Sequence, residues 1–222
     1  MYGDTLLRSQ FGKPSGLFGA LFMGPILNLS NTRLVNAAVD LLDPRTNDTV
    51  LDIGFGGGLS LVTLAAKAPR AKIVGVDYSR EMVETAARLV RGKKLDARVS
   101  VKWGDVAKLP FRAGTFHKVL TVNSLYYWPD LVASLREVAR VMKRGGRLAA
   151  GFRSAHSHRI AASKAPDRMA WMPRMVPLAI GLQTCGRQPD SLQSWPGRGR
   201  VACRRVAGSS ASGSPAIVVV RP

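Results

Sequence analysis

A buried-strand pattern that runs without a break into alternating glycines, VLDIGFGGG at residues 50–58, constrains this chain more than any other feature. An apolar run of this kind suits a strand paired on both sides, and glycines directly after it let the backbone turn sharply into a helix. The amide N–H groups of such a turn, backed by the positive end of the helix, face whatever lies above the strand's C-terminal edge. The plainer account is a tight turn that uses glycine for backbone freedom alone. Gly54, Gly56 and Gly58 spell GxGxG. A dinucleotide fingerprint needs glycine where Leu59 stands, and no GK[ST] follows. A nicotinamide dehydrogenase and a phosphate-loop NTPase are therefore both disfavoured.

The pattern repeats downstream. TVLDI (49–53), KIVGV (72–76), VSVKW (99–103), HKVLTV (117–122) and RLAAGF (147–152) read as strands. Residues 59–68, 80–91 and 131–143 read as helices, the last with Leu131, Leu135, Val138 and Met142 at spacings of three and four. Ser79 is placed to cap the second of these, and Gly92 and Gly145 to stop the second and third. The alternation predicts an α/β fold: a doubly wound, mostly parallel sheet with helices on both faces. Upstream, residues 31–42 carry Leu34, Val35, Ala38, Leu41 and Leu42 on one helical face until Asp43 and Pro44 end it. Residues 16–29 read as a short amphipathic element at the edge of the fold. Gly19, Gly24 and Pro25 interrupt it too often for a membrane span, and it lacks the basic start and cleavage site of a secretory signal.

After Ser154 the chain changes character. Residues 155–222 hold ten basic and two acidic residues and seven of the thirteen prolines, with no Glu, Phe, Tyr or Asn. A basic disordered tail, the translation of GC-rich DNA in a shifted frame, and a substrate subdomain all fit this bias. Within it, AIVVV (216–220) looks like a closing edge strand. The expected organisation is thus an N-terminal lid segment at 1–39, a core at 40–154 and a basic Pro/Arg-rich segment at 155–222. The net charge of +19 favours anionic partners but does not choose among nucleic acid, acidic lipid and phosphorylated ligands. Only Cys185 and Cys203 are present, so no disulfide framework or metal site is indicated and a cytoplasmic location is the default.

Acids mark the ends of the first three strands. Asp77 follows Gly54 by twenty-three residues and ends the second strand, where a carboxylate accepts hydrogen bonds from both hydroxyls of a ribose. Asp105, in WGDVAKLPF, either reads an adenine amino group together with the Val106 backbone or caps the turn before Leu109 and Pro110. Asp52 sits inside the end of the first strand, and a carboxylate there suits a positively charged amino acid moiety better than a pyrophosphate, which it would repel.

The ordered set VLDIGFGGG, VGVDYS, GDVAKLPF, FHKVLTVNSLYYW and VMKRGGRLAAGF resembles the class I S-adenosylmethionine-dependent methyltransferases, in the small-molecule group that includes quinone-biosynthesis C-methyltransferases. The resemblance covers about residues 40–153 and implies a Rossmann-like methyltransferase fold with S-adenosylmethionine as cofactor. By that similarity Gly54, Gly56 and Gly58 shape the loop around the methionine part with Asp52 near it. Asp77 holds the ribose with Tyr78 beside it, Asp105 and Val106 hold the adenine, and Asn123 borders the transferable methyl. Tyr126, Tyr127 and Trp128 face the substrate. The family continues with a helix and an antiparallel hairpin, where this chain departs, so an incomplete or aberrant hairpin is expected.

Methyl transfer from a sulfonium needs positioning and desolvation more than covalent help, and no catalytic base is assigned. His117, His156 and His158 read as incidental. The leading expectation is methyl transfer to a small, apolar or lipid-like acceptor, suggested by residues 16–29 and the aromatic patch. An RNA methyltransferase is the alternative favoured by charge, but NSLYYW stands where a base-gripping NPPY motif would be. A non-catalytic nucleic-acid-binding protein on a degenerate methyltransferase scaffold is the other.

Overall fold

The computed structural model describes residues 24–152, 193–194, 200–205 and 216–221, with side chains over 32–152. Strands β1 (Thr49–Ile53), β2 (Lys72–Asp77), β3 (Val99–Trp103), β4 (Phe116–Val122) and β5 (Met142–Phe152) alternate with helices α2 (Leu59–Lys67), α3 (Arg80–Gly92) and α4 (Leu131–Val141). Helix α1 (Gly24–Leu42) precedes them, and β6 (Gln193–Ser194), β7 (Arg200–Arg205) and β8 (Ala216–Arg221) follow. The sheet order is β3-β2-β1-β4-β5-β8-β7-β6. The first five strands pair in parallel, and β8 pairs antiparallel with β5 and β7.

Strand alternation divides the core between two faces. Leu51, Ile53, Val119, Leu148 and Ala150 pack with Leu135, Val138 and Val141 of α4. Val50, Ile73, Leu120 and Ala149 pack on the other face with α1, α2 and α3 through Leu34, Ala38, Leu61, Leu64, Ala86 and Val90. The helices after β1 and β4 therefore lie on opposite faces. Their strands are neighbours, so the chain parts between them and opens a crevice above their C-terminal ends.

Several boundaries differ from the sequence expectation for physical reasons. Helix α1 begins at Gly24 rather than at residue 31. Leu34, Val35, Ala38 and Val39 are all buried in one stripe, and Leu34 comes close over Gly151 of β5. Asp43, at φ 52°, ends it as expected, its N–H donating to Val39 O. Helix α4 stops at Val141 rather than at Lys143, and β5 starts at Met142. The register with β4 then jumps from Phe116↔Met142 to Lys118↔Arg147. Gly145, at φ 73°, lies inside that irregularity and is not a helix stop. Gly92 is the last residue of α3, but the left-handed residue that follows is Lys94.

Beyond β5, where an incomplete or aberrant hairpin is expected, the described strands β7 and β8 pair antiparallel and extend the sheet. Segment 216–220 is consequently an interior strand, not an edge, as an unbroken β-branched run favours. Residues 1–23, 153–192, 195–199, 206–215 and 222 lie outside the described residues, and with them most of the lid, the three accounts of the tail, and His156 and His158.

Arg98 closes α2 from a distant loop, its guanidinium donating to Ala65 O at 2.8 Å and Ala68 O at 3.2 Å. A cation on the terminal carbonyls satisfies acceptors the helix leaves open and opposes its dipole. Arg98→Ala is expected to cost about 1.5 kcal/mol in urea denaturation while leaving ligand binding intact, because the contact sits at the end of α2 remote from the crevice.

Candidate functional site

The glycine loop is built by the strands on either side of it. Gly54 N–H donates to Val76 O of β2 at 2.8 Å, and Gly58 N–H donates to Phe55 O at 3.1 Å. Gly54, Gly56 and Gly58 take φ of 71°, 55° and 88°, in the region where only glycine is unstrained. Gly58 is the N-cap of α2 and supplies no capping side chain, so the first turn of the helix opens toward the crevice. Phe55 turns inward and lies over Gly75, where an added Cβ would come within 2.6 Å of the ring. The glycine inside KIVGVD was the available signal for that close approach.

Asp77 spans loop and strand. One oxygen accepts the Gly56 N–H at 2.8 Å and the other accepts the Ser79 N–H at 2.9 Å. Burial raises its pKa, while the amides of Ser79, Gly56 and Tyr78 favour the charged form and oppose the rise. Asp105 takes the turn-capping role, accepting the Ala107 N–H at 2.8 Å through Oδ1. It lies beside buried Val106 at the same sheet edge.

Asp52 is almost fully buried, and its Oδ2 has no hydrogen-bond partner among the described residues. Burial pushes its carboxyl up to about 7; a hydrogen bond from the Ser60 side chain acts the other way, and the charge of Asp77 adds to the rise. A folded pKa above the unfolded value of about 3.9 means that the folded chain holds this proton more tightly. The associated stability is present at acid pH and is lost as pH climbs through about 7. Urea midpoints of the unliganded chain at about pH 5 and about pH 8 should therefore differ more in wild type than in Asp52→Asn, which cannot titrate.

The end of β4 forms the other wall. Asn123 adopts φ 55° and its N–H donates to Gly151 O at 2.8 Å. Tyr126 O–H donates to Asn123 Oδ1 at 3.4 Å, and the Tyr126 and Tyr127 rings meet edge to face. Tyr127 is half exposed. Trp128, read from sequence as facing the substrate, is buried in the α4-side core, and its indole N–H donates inward to Ser124 Oγ at 3.2 Å. Tyr78 is exposed beside Trp103, whose indole N–H donates to Tyr78 O at 2.9 Å and whose ring lies 4.5 Å beneath the Arg80 guanidinium. Sequence reasoning passed over Trp103, Ser60 and Ser124. The parallel register that sets Trp103 beside Asp77 was the one usable signal, since strand ends align across a parallel sheet.

His117 lies at the opposite end of the sheet, with Nδ1 accepting the Thr49 N–H at 2.9 Å and Nε2 3.0 Å from Lys143 Nζ. It holds strands together rather than lining the crevice.

Residues 50–146 match a family described as methyltransferase domain. Over 125 residues the chain is 34% identical to 27-O-demethylrifamycin SV methyltransferase of Amycolatopsis mediterranei, covering 56% of this chain and 46% of that protein. Over 108 residues it is 30% identical to demethylmenaquinone methyltransferase of Lactobacillus johnsonii, covering 48% and 44%. The chain thus spans less than half the length of these two curated relatives. A SAM dependent methyltransferase from Aquifex aeolicus superposes with a TM-score of 0.64 at 16% identity, covering 99% of this chain and 98% of that one, a likeness of fold.

Proposed function

We propose that this chain, whose residues 50–146 match a methyltransferase domain, is of the class I kind: it binds S-adenosylmethionine and transfers its methyl group to a small, apolar or lipid-like acceptor. The observation that carries the cofactor reading is the buried, half-satisfied carboxylate of Asp52 next to Asp77 at the mouth of the glycine loop. Two acids there repel a pyrophosphate, whereas one ammonium and one ribose satisfy both. The residues fit the cofactor on that test.

Asp77 accepts the ribose hydroxyls. Asp52, ionised as the ammonium approaches, receives the positive charge its buried oxygen lacks. Asp105 and Val106 border the adenine, with Tyr78 along the ribose, and Gly54, Gly56 and Gly58 admit the methionine part close to the backbone. Bound S-adenosylmethionine supplies an activated methyl on a sulfonium. The protein's task is then to exclude water and align the acceptor, for which no general base is required. Asn123, Tyr126 and Tyr127 form the acceptor side, with Trp128 supporting them from behind.

The small-molecule class is supported by the names of the relatives, which act on 27-O-demethylrifamycin SV and demethylmenaquinone. Incubating the chain with methyl-labelled S-adenosylmethionine and a panel of quinols, hydroxylated macrocycles and RNA tests it. Label is expected in the small-molecule fraction. Transfer confined to RNA would replace this reading with the nucleic-acid one.

A further inference from the structure

Ser124 is polar, buried and unused by the account above, yet every hydrogen-bonding capacity of its hydroxyl is filled. The indole N–H of Trp128 can only donate and the Ile53 carbonyl can only accept. Ser124 Oγ therefore accepts from Trp128 Nε1 at 3.2 Å and donates to Ile53 O at 3.2 Å. With its one proton committed to Ile53, the contact with Thr121 Oγ1 must have the threonine as donor. One donor and two acceptor sites are all that a serine hydroxyl has.

The three partners belong to three parts of the crevice. Ile53 is the last residue of β1 before the glycine loop, Thr121 stands near the end of β4, and Trp128 follows the two tyrosines and is buried in the α4-side core. Contact reinforces the hydrogen bonds. A Cβ added at Gly54 would stand 2.4 Å from Ser124 Cβ, so the first loop glycine and Ser124 are in direct packing contact. Ser124 also follows Asn123, whose left-handed backbone aims the chain into the turn of Leu125–Tyr127.

We propose that Ser124 is a positioning residue that fixes the acceptor wall to the glycine loop, so that occupancy of the loop is felt at Trp128. The inference rests on the cofactor reading given above. Packed, hydrogen-bonded groups shift together, and a small displacement of a wall that aligns an acceptor is costly in rate.

The test uses the full chain labelled with ¹⁵N at its tryptophan indoles, the Trp128 resonance being identified by its loss in Trp128→Phe. S-adenosylhomocysteine, the demethylated cofactor, is titrated into wild type and Ser124→Ala. In wild type the Trp128 indole resonance is expected to shift on saturation. In Ser124→Ala that shift should fall to less than about a third, even with the ligand bound, because the link is missing. Ser124→Cys, with a weaker hydrogen-bonding atom of similar size, should respond in between. If alanine prevents folding, cysteine decides alone. A Trp128 response as large as in wild type in either folded variant would overturn the inference, as would a wild-type resonance that stays still while the ligand demonstrably binds. A folded wild type that binds no S-adenosylhomocysteine would instead remove the cofactor reading and this inference with it.

Discussion

Replacing Asp77 with alanine is expected to weaken S-adenosylmethionine binding by at least about tenfold while leaving the chain folded. Charge-assisted hydrogen bonds contribute roughly 1.5 to 3 kcal/mol each, and the carboxylate faces two ribose hydroxyls in the proposed complex. Losing even one is worth about a factor of ten. A second effect adds to it. The same oxygens hold Gly56 N–H and Ser79 N–H, so alanine also loosens the loop that receives the methionine part. Electrostatics should not unfold the variant, since burial already disfavours the charge of Asp77 in the unliganded chain. Removing it relieves that cost. Affinity and stability therefore separate, and calorimetry beside thermal denaturation distinguishes them. Asp77→Ala with undiminished affinity would withdraw the ribose assignment.

Gly54→Ala should act in the opposite way, on the fold before the ligand. At φ 71° an alanine pays roughly 1 to 2 kcal/mol for the left-handed backbone. Its Cβ would also stand 2.4 Å from Ser124 Cβ, where neither backbone can retreat without breaking the Gly54 to Val76 or Ser124 to Ile53 hydrogen bond. Overpacking of this kind costs about 1 to 3 kcal/mol. The sum, about 2 to 5 kcal/mol, is a large share of the 5 to 15 kcal/mol typical of a domain. It predicts a fall in melting temperature on the order of 10 °C for a chain of this size. Gly114→Ala is the control: φ is 64° there but nothing lies within 4 Å, so only the backbone cost applies. Equal melting points for the two variants would show that the contact with Ser124 is dispensable.

What could be read in advance follows from where each signal lives. Strands β1 to β4 and helices α2 and α3 were legible because their apolar periodicity is local, and Asp77 was legible because parallel strand ends share one edge. The Ser79 cap was readable in the same way and accepts the Met82 N–H as expected. Four features were not readable. Met142 fits the α4 stripe by spacing, but the register jump opposite Phe116 draws it into β5, and that is a tertiary preference. Trp128 belongs by sequence to an aromatic patch. Only the buried hydroxyl of Ser124, four residues earlier, decides that its polar edge turns inward. Asp52 was placed near the ligand, but its unpartnered oxygen depends on which groups of α2 reach it, and Ser60 reaches only one side. Strands β6 and β7 escaped notice because their flanks carry the proline and arginine bias, whereas the β-branched run of β8 stood out from it.

Every role proposed above depends on a working S-adenosylmethionine site at the C-terminal ends of β1 and β2. Calorimetric titration of S-adenosylmethionine and S-adenosylhomocysteine into the purified chain addresses it directly, with circular dichroism confirming the fold. Saturable binding of both at one site per chain is the predicted result, and a folded chain that takes up neither would contradict it.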